Sequence, residues 1–385
     1  MTDSVDIAIA GGGPAGVAFA LALRDSEYSV CVVEPRAAPP TDDEDTRNLA
    51  LTHGSRLILD RLGVWEALAA TPIETVLVSQ QHAFGRAEFT AGEAGVPALG
   101  YVVRHAQLRR TLTAALEHSD VRVLHGHAVR GVAADASGAR VDVEDAAGMQ
   151  LTIQAKLLAI ADGGANADWA EVKVRRYPEV ALVCDVASQQ PHRNRAFERF
   201  TPDGPLALLP LPHGWSLVWI AAPARAQALA TIDAADFCRE LHAAFGGALG
   251  EFTLLGMRQT FPLTLKYASA PRTPRTVLIG NAAQTLHPVA AQGFNLGLRD
   301  TWEFARTLVV RRATDPGTAT VLAAHRKIRR RDRIATTAFT DSLIRLFSND
   351  IPLLRHARGI GLVALGAMPS VKKLFMRRML FGSRG

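Results

Sequence analysis

The sequence predicts an α/β fold: a Rossmann-like dinucleotide-binding domain, an inserted β-sheet domain and a C-terminal helical segment. Three observations predict it. A β-rich run, VDIAIA, meets the cluster Gly11-Gly12-Gly13-Pro14-Ala15-Gly16, then an Ala/Leu-rich helical run and a second apolar strand ending at Glu34, which together make a βαβ unit. Much later the apolar run TVLIG returns the chain to that layer. Between the two lie short strands separated by turn residues, and beyond them the pattern is almost wholly helical.

A chain of 385 residues suits two intertwined domains plus an accessory segment. With 48% hydrophobic and 21% charged residues it has the balance of a globular protein and ample material for a core. Cys31, Cys184 and Cys238 lie far apart and form no C-x-x-C pair, so neither a disulfide framework nor a zinc site is suggested and a reducing cytoplasm is expected. The N-terminus lacks a basic leader, and no apolar run reaches the roughly 18 residues of a spanning helix, so the expectation is a soluble or peripheral protein. From Ile351 onward there are seven Lys or Arg and no acid; the net charge of +6 less these seven leaves −1 for the rest. The basicity therefore belongs to the tail, and nucleic acid is not implied.

After the βαβ unit an acidic stretch, Ala37 to Thr46, precedes helical spacing from Leu49 to Leu68. Thr75 to Gln80 and Ala83 to Phe89 alternate like an inserted hairpin, and Gln107 to Glu117 reads as a helix. Val121 to Ala155 is a meander with turns at Ala136 to Gly138 and Ala146 to Gly148, leading to the all-apolar and hence central strand Leu157 to Ala161. EVALVCDV, AFERFT and WSLVWIA are further strands, Ala234 to Phe245 is a helix, and a long charged helix is expected from about Thr318 to Phe347. These readings give a dinucleotide-binding domain of residues 1–72, 97–178 and 271–315, a sheet domain of 73–96 and 179–270, and a helical segment of 316–385.

The glycine motif has a direct physical reading. Gly11 permits a tight turn, Gly13 lets backbone approach a pyrophosphate, Pro14 and Ala15 open the helix whose free N–H groups face the phosphates, and Gly16 lets that helix pack on the sheet. Glu34, 18 residues after Gly16, stands where an acid accepts hydrogen bonds from an adenosine ribose. This pattern alone leaves FAD and NAD undecided.

The second motif runs Gly280-Asn281-Ala282-Ala283-Gln284-Thr285-Leu286-His287-Pro288-Val289-Ala290-Ala291-Gln292-Gly293-Phe294-Asn295-Leu296-Gly297. It resembles the segment with which class A flavoprotein monooxygenases hold the ribityl chain and isoalloxazine of FAD, and within that class the chain resembles the ubiquinone-biosynthesis hydroxylases. The G-N-A-A-Q-T-L-H-P form is similar to that of the 2-octaprenyl-6-methoxyphenol hydroxylases; many other relatives have G-D-A-A, and Ala291 replaces a usual Gly. Physically, a helix starting near Gly293 would turn its positive end toward reduced flavin, and Asn295 would sit at the pyrimidine edge.

Two shorter segments extend the resemblance. Asp45-x-Arg47-x-x-Ala50-Leu51 matches a D-x-R-x-x-A-L stretch whose Arg lies beside the flavin or ribityl chain, with a solvated Asp45–Arg47 pair as the alternative. Ala161-Asp162-Gly163 matches a D-G motif whose Asp sits where FAD meets the nicotinamide cofactor, although Gly164 to Trp169 departs from the usual Ser and Arg. Similarity continues through Phe197 to Thr201, Gly204 to Pro210, Trp215 to Trp219 and Thr340 to Phe347.

The resemblance implies a p-hydroxybenzoate hydroxylase-like fold and an FAD-dependent monooxygenase. NADPH or NADH would reduce FAD, and O2 would supply one oxygen to a hydrophobic phenol, a polyprenyl-methoxyphenol intermediate of ubiquinone biosynthesis. Pro288 to Asn295 is expected to face the reacting ring, with His287, Pro288 and Gln292 as candidate catalytic residues. The basic tail admits peripheral contact with the inner membrane or with a ubiquinone-biosynthesis complex. A hydroxylase of a small soluble phenol and a non-catalytic FAD-binding subunit are the rival readings. The apolar residues between Leu206 and Trp219 suit sheet core and pocket wall equally.

Overall fold

The computed structural model describes residues 2–38, 47–164, 169–285, 292–311, 314–330, 334 and 352–382. The strand Thr2–Ala10 pairs in parallel with Val30–Glu34 on one side and Gln150–Ile160 on the other. Thr276–Leu278 joins the C-terminal part of Gln150–Ile160, and Arg122–His125 flanks Val30–Glu34, both in parallel. The central residues Ile7–Ala10, Val30–Val33 and Leu157–Ile160 are apolar and buried, as suits strands covered on both faces. Ile7, Ile9, Val32, Leu157 and Ala159 pack under the helices Pro14–Leu23, His105–Glu117 and Gln292–Arg311, where Phe19 stacks on Phe304 at 5.3 Å. On the opposite face Ala8, Cys31 and Leu158 pack with Val141 and Val143 of the antiparallel meander His127–Ala134 and Ala139–Asp145.

A second sheet, nine-stranded among the described residues, has the order Gln284–Thr285, Gln259–Pro271, Ala170–Ser188, Gly214–Ala221, Gly204–Leu211, Arg195–Thr201, Thr75–Gln80, Arg86–Thr90, with Phe252–Leu254 beside Ala170–Ser188. Alternation gives it two faces. Leu182, Leu206, Leu208, Trp215, Leu217 and Trp219 form the outer face and pack against Phe237 and Leu241 of the helix Ala234–Phe245. The inner face meets the first half of the molecule. There Ala196 and Leu211 touch Ile73 and Val102 of a three-stranded sheet made of Asn48–Thr52, Gly100–Arg104 and Thr71–Ile73. Further along the same face, Val76, Val78, Ala87 and Phe89 are covered by Leu362, Met376 and Leu380 of the helices Pro352–Ala367 and Pro369–Phe381.

Two local readings change. The helical spacing expected from Leu49 opens instead with the strand Asn48–Thr52, because those residues pair with Gly100–Arg104; the helix is His53–Arg61, and the Thr52 side chain caps it by accepting from the Ser55 N–H. The boundary expected at 178/179 falls inside the strand Ala170–Ser188, which pairs with Gln259–Pro271 across a register shift between Arg176 and Val180. Of the long helix expected from Thr318, residues 319–330 are helical and most of the remainder lies outside the described residues.

Candidate flavin site

The site forms at the C-terminal ends of the parallel strands, where helices and turns converge. Gly11 adopts φ +112°, and a Cβ there would lie 2.6 Å from the Ala161 carbonyl oxygen, so no other residue permits the turn to run against the neighbouring strand end. Gly16 is equally constrained, since its Cβ would collide with the Gly11 carbonyl. Gly13 is different: nothing stands closer to its Cβ position than Ala161 O at 4.0 Å. The backbone therefore offers an open cradle in front of a helix that starts with Pro14 and Ala15, and a pyrophosphate fits that space and its N–H groups.

Glu34 is buried at the end of its strand. Its Oε2 accepts from the Gly12 N–H at 2.6 Å, and its Oε1 accepts from Arg36 Nε at 2.6 Å and Arg36 N at 3.1 Å. Burial alone would raise its pKa, but the bonds from Arg36 and Gly12 hold the carboxyl below its ordinary value. It is an anion, an acceptor suited to ribose hydroxyls. Arg36, which the sequence reading passed over, fixes that charge.

The flavin end is built from the returning segment. The turn Gly280–Ala282 exposes Asn281, and a Cβ on Gly280, φ +58°, would strike Ala15. Gly297 lies against Gly280, its Cβ position 3.3 Å from the Gly280 Cα, which draws the helix Gln292–Arg311 toward the glycine motif. Asp162 ends the central strand and serves its own turn: Oδ1 accepts from the Gly164 N–H at 2.8 Å and Oδ2 from Trp169 Nε1 at 3.2 Å. Trp169 thus holds the carboxylate where relatives are expected to continue with Ser and Arg. Gly164 in turn approaches the Asn281 carbonyl.

Of the remaining candidates, Gly293 and Phe294 begin the helix half-buried, and Arg47 is exposed at the start of Asn48–Thr52, its carbonyl accepting from the His105 N–H at 2.9 Å. His287, Pro288 and Asp45 lie outside the described residues, as does the side chain of Gln292. Asn295 is held by the protein's own groups. Expected at the flavin edge, it is almost fully buried, its Oδ1 accepting from the Thr52 N–H at 2.8 Å and Ser55 Oγ at 2.6 Å, and its Nδ2 donating to the Ala50 carbonyl at 2.8 Å. The side chain ties the start of the helix to the three-stranded sheet, because a buried amide is stable only when its polar atoms are paired. The signal was present in Thr52-x-x-Ser55, a capping pattern.

A second polar cluster was also missed. Asn48 Nδ2 donates to Asp185 Oδ1 at 3.1 Å and to Ser216 Oγ at 3.0 Å, joining the three-stranded sheet to the inner face of the nine-stranded one. Burial raises the pKa of Asp185, partly offset by Arg104, 3.8 Å away, and by Asn48. No spacing rule links positions so far apart in the chain.

The FAD binding domain family model matches residues 4–336. The chain is 34% identical to the ubiquinone hydroxylase UbiL of Rhodospirillum rubrum over 97% of its own length and 89% of the relative's. It is 33% identical to the 3-demethoxyubiquinol 3-hydroxylase of Escherichia coli over 93% and 94%. The p-nitrophenol 4-monooxygenase PnpA of Pseudomonas putida shares the fold, with a TM-score of 0.78 over the whole of both chains at 17% identity. Its architecture is thus of the p-hydroxybenzoate hydroxylase type. The chain belongs to the FAD-binding-domain family, among the ubiquinone-biosynthesis hydroxylases, and is an FAD-dependent monooxygenase.

Proposed function

We propose that the chain uses NADH or NADPH and O2 to hydroxylate a polyprenyl-methoxyphenol in ubiquinone biosynthesis. What supports this reading is the similarity to ubiquinone hydroxylases over nearly the whole chain, together with Ala207, Val218 and Val183, which lie in register as an apolar strip on the inner face of the nine-stranded sheet, next to the row in which Ala196 and Leu209 pack on Ile73 and Val102. Bound FAD supplies the redox chemistry and the activation of oxygen. The protein's part is placement. Gly13 and the helix at Pro14 receive the pyrophosphate, Glu34 the ribose, and Asn281 with Gly293 the flavin end, while Asn295 fixes the helix that presents Gly293. An apolar wall holds an isoprenoid tail and keeps water from the reacting ring. The test is product mass after incubation with FAD, NADH or NADPH, O2 and a short-chain prenyl-methoxyphenol. A gain of one oxygen atom on the ring is expected; reductant consumption giving only peroxide would refute the substrate assignment.

The C-terminal helices supply the route to such a substrate in this reading. Leu362, Met376 and Leu380 face the core, while Ile360, Val363, Met368, Val371 and Leu374 are exposed beside Lys373, Arg377 and Arg378. No single helix among the described residues is long and apolar enough to cross a membrane, but His356–Ala367 and Pro369–Phe381 together pass that test with a 96° bend between them. An exposed apolar stripe flanked by cations suits docking on an anionic bilayer surface. The structure removes two of the seven tail charges from that role: Arg358 is buried, and Lys372 is buried against Glu93, over the Phe89 ring.

A further inference from the structure

Glu198 stands on the same inner wall. Its neighbour Phe197 packs with the outer-face cluster around Trp215, so alternation turns Glu198, like Ala196, inward. Its directly paired residues are Val78 on one side and Ala207 on the other, and Ala207 pairs in turn with Val218, which pairs with Val183. Side chains in such a row share a face, so this carboxyl projects from a strip of Val, Ala and Val. Among the described residues no hydrogen bond or ion pair reaches it. It is half-buried on this face. Burial pushes its pKa from the ordinary 4.5 up to about 7, with no charged neighbour contributing.

Among the described residues, the charged groups nearest this wall have other partners. Asp185, one row away, is bonded to Asn48 and faces Arg104. On the covering helices Lys372 is joined to Glu93, and Arg358, buried on Pro352–Ala367, is also partnered.

Resting on the monooxygenase reading above, we propose that Glu198 accepts the proton of the substrate's phenolic hydroxyl and so activates the ring for hydroxylation. The phenolic O–H bond breaks, its proton forms a new O–H bond on a Glu198 oxygen, and the electron pair stays on the phenolate, raising electron density at the ring carbon that takes oxygen. The proton returns to the product's phenolate oxygen before release. A carboxylate with no donor of its own is a free acceptor, and a base that titrates near neutrality accepts and returns a proton with little cost. Its row neighbours Val78, Ala207 and Val218 are apolar, so a phenolic hydroxyl brought against this strip finds its acceptor in the Glu198 carboxylate.

The experiment uses the FAD-loaded enzyme and a short-chain 2-prenyl-6-methoxyphenol, with Glu198→Gln and Glu198→Asp beside the wild type. Coupled hydroxylation by the wild type should rise with pH through an inflection near 7. In Glu198→Gln that inflection should vanish, with kcat lower by about a hundredfold and peroxide release higher, while FAD content stays normal. Glu198→Asp should recover part of the rate. A Gln variant that keeps both the inflection and kcat within about twofold overturns the proposal. A second readout is independent of turnover: fluorine NMR of a bound fluorinated prenylphenol under anaerobic conditions. The bound phenol should ionise at lower pH in the wild type than in Glu198→Gln. If the wild type binds but does not hydroxylate the phenol, the substrate assignment fails, and the ionisation difference still decides the role of Glu198. Equal ionisation in the two proteins, or no binding at all, overturns the Glu198 proposal.

Discussion

Asn295 donates its Nδ2 hydrogen to the Ala50 carbonyl at 2.8 Å, so one amide ties the helix Gln292–Arg311 to the strand Asn48–Thr52 from 245 residues away in sequence. The same side chain accepts from Thr52 and Ser55, and the whole cluster is buried.

Asn295→Leu should leave the Thr52 N–H and the Ser55 hydroxyl without an acceptor and cost about 1–3 kcal/mol of stability. Asn295→Asp keeps the acceptor but sets a second carboxylate oxygen against the Ala50 carbonyl, with a loss of similar size. Urea unfolding of the flavin-free protein measures both. Unchanged midpoints would show that the cluster contributes nothing to holding the helix.

Gly13 and Gly16 should respond in opposite ways. Gly13→Val meets no protein atom closer than 4.0 Å at its Cβ, so the apoprotein should fold with a melting temperature near the wild type yet purify colourless. FAD affinity should drop by about tenfold or more. Gly16→Val drives its Cβ into the Gly11 carbonyl and should fail to fold. Retention of stoichiometric flavin by Gly13→Val would place the pyrophosphate elsewhere.

Glu198 also predicts a pH dependence of stability without ligand. Its folded pKa of about 7 lies above the ordinary 4.5, so the folded state holds the proton more tightly. Below the lower value both states are protonated and no penalty exists; as pH rises through this window the unfolded chain ionises first and stability falls, with the full penalty present above about 7. Glu198→Gln removes that loss. Its melting temperature relative to the wild type should therefore be higher at about pH 8 than at about pH 4.5; a constant difference would show an ordinary carboxyl.

Membrane docking is best tested by point substitution, because Met376 and Leu380 are core residues and deleting the last helix would expose Ala87 and Phe89. Val371→Glu with Leu374→Glu should abolish sedimentation with phosphatidylglycerol vesicles. Lys373→Glu, Arg377→Glu and Arg378→Glu together remove about 1 kcal/mol per lost cation. Binding by the wild type should weaken in high salt. Salt-insensitive binding, or equal binding by the variants, would refute this face as the dock.

The sequence alone determined the parts governed by neighbours in the chain. A glycine turn between strand and helix, the acid at position 34, the apolar central strand and the helix Ala234–Phe245 depend on local steric rules and short-period burial, so they were legible directly. The returning segment was legible through resemblance, and its Gly280 marks a close approach that only glycine allows while Gly297 packs tightly on it. Tertiary structure decided what depends on long-range contact. Leu49 to Thr52 became a strand because residues 100–104 pair with it, the Asn295 side chain became a clamp because Thr52, Ser55 and Ala50 lie within reach, and Lys372 left the surface for Glu93. Nothing local in the sequence marks Glu198; sheet register places it inward among apolar side chains. A residue's type is local, whereas its dielectric surroundings and partners are set by chain segments that folding alone brings together.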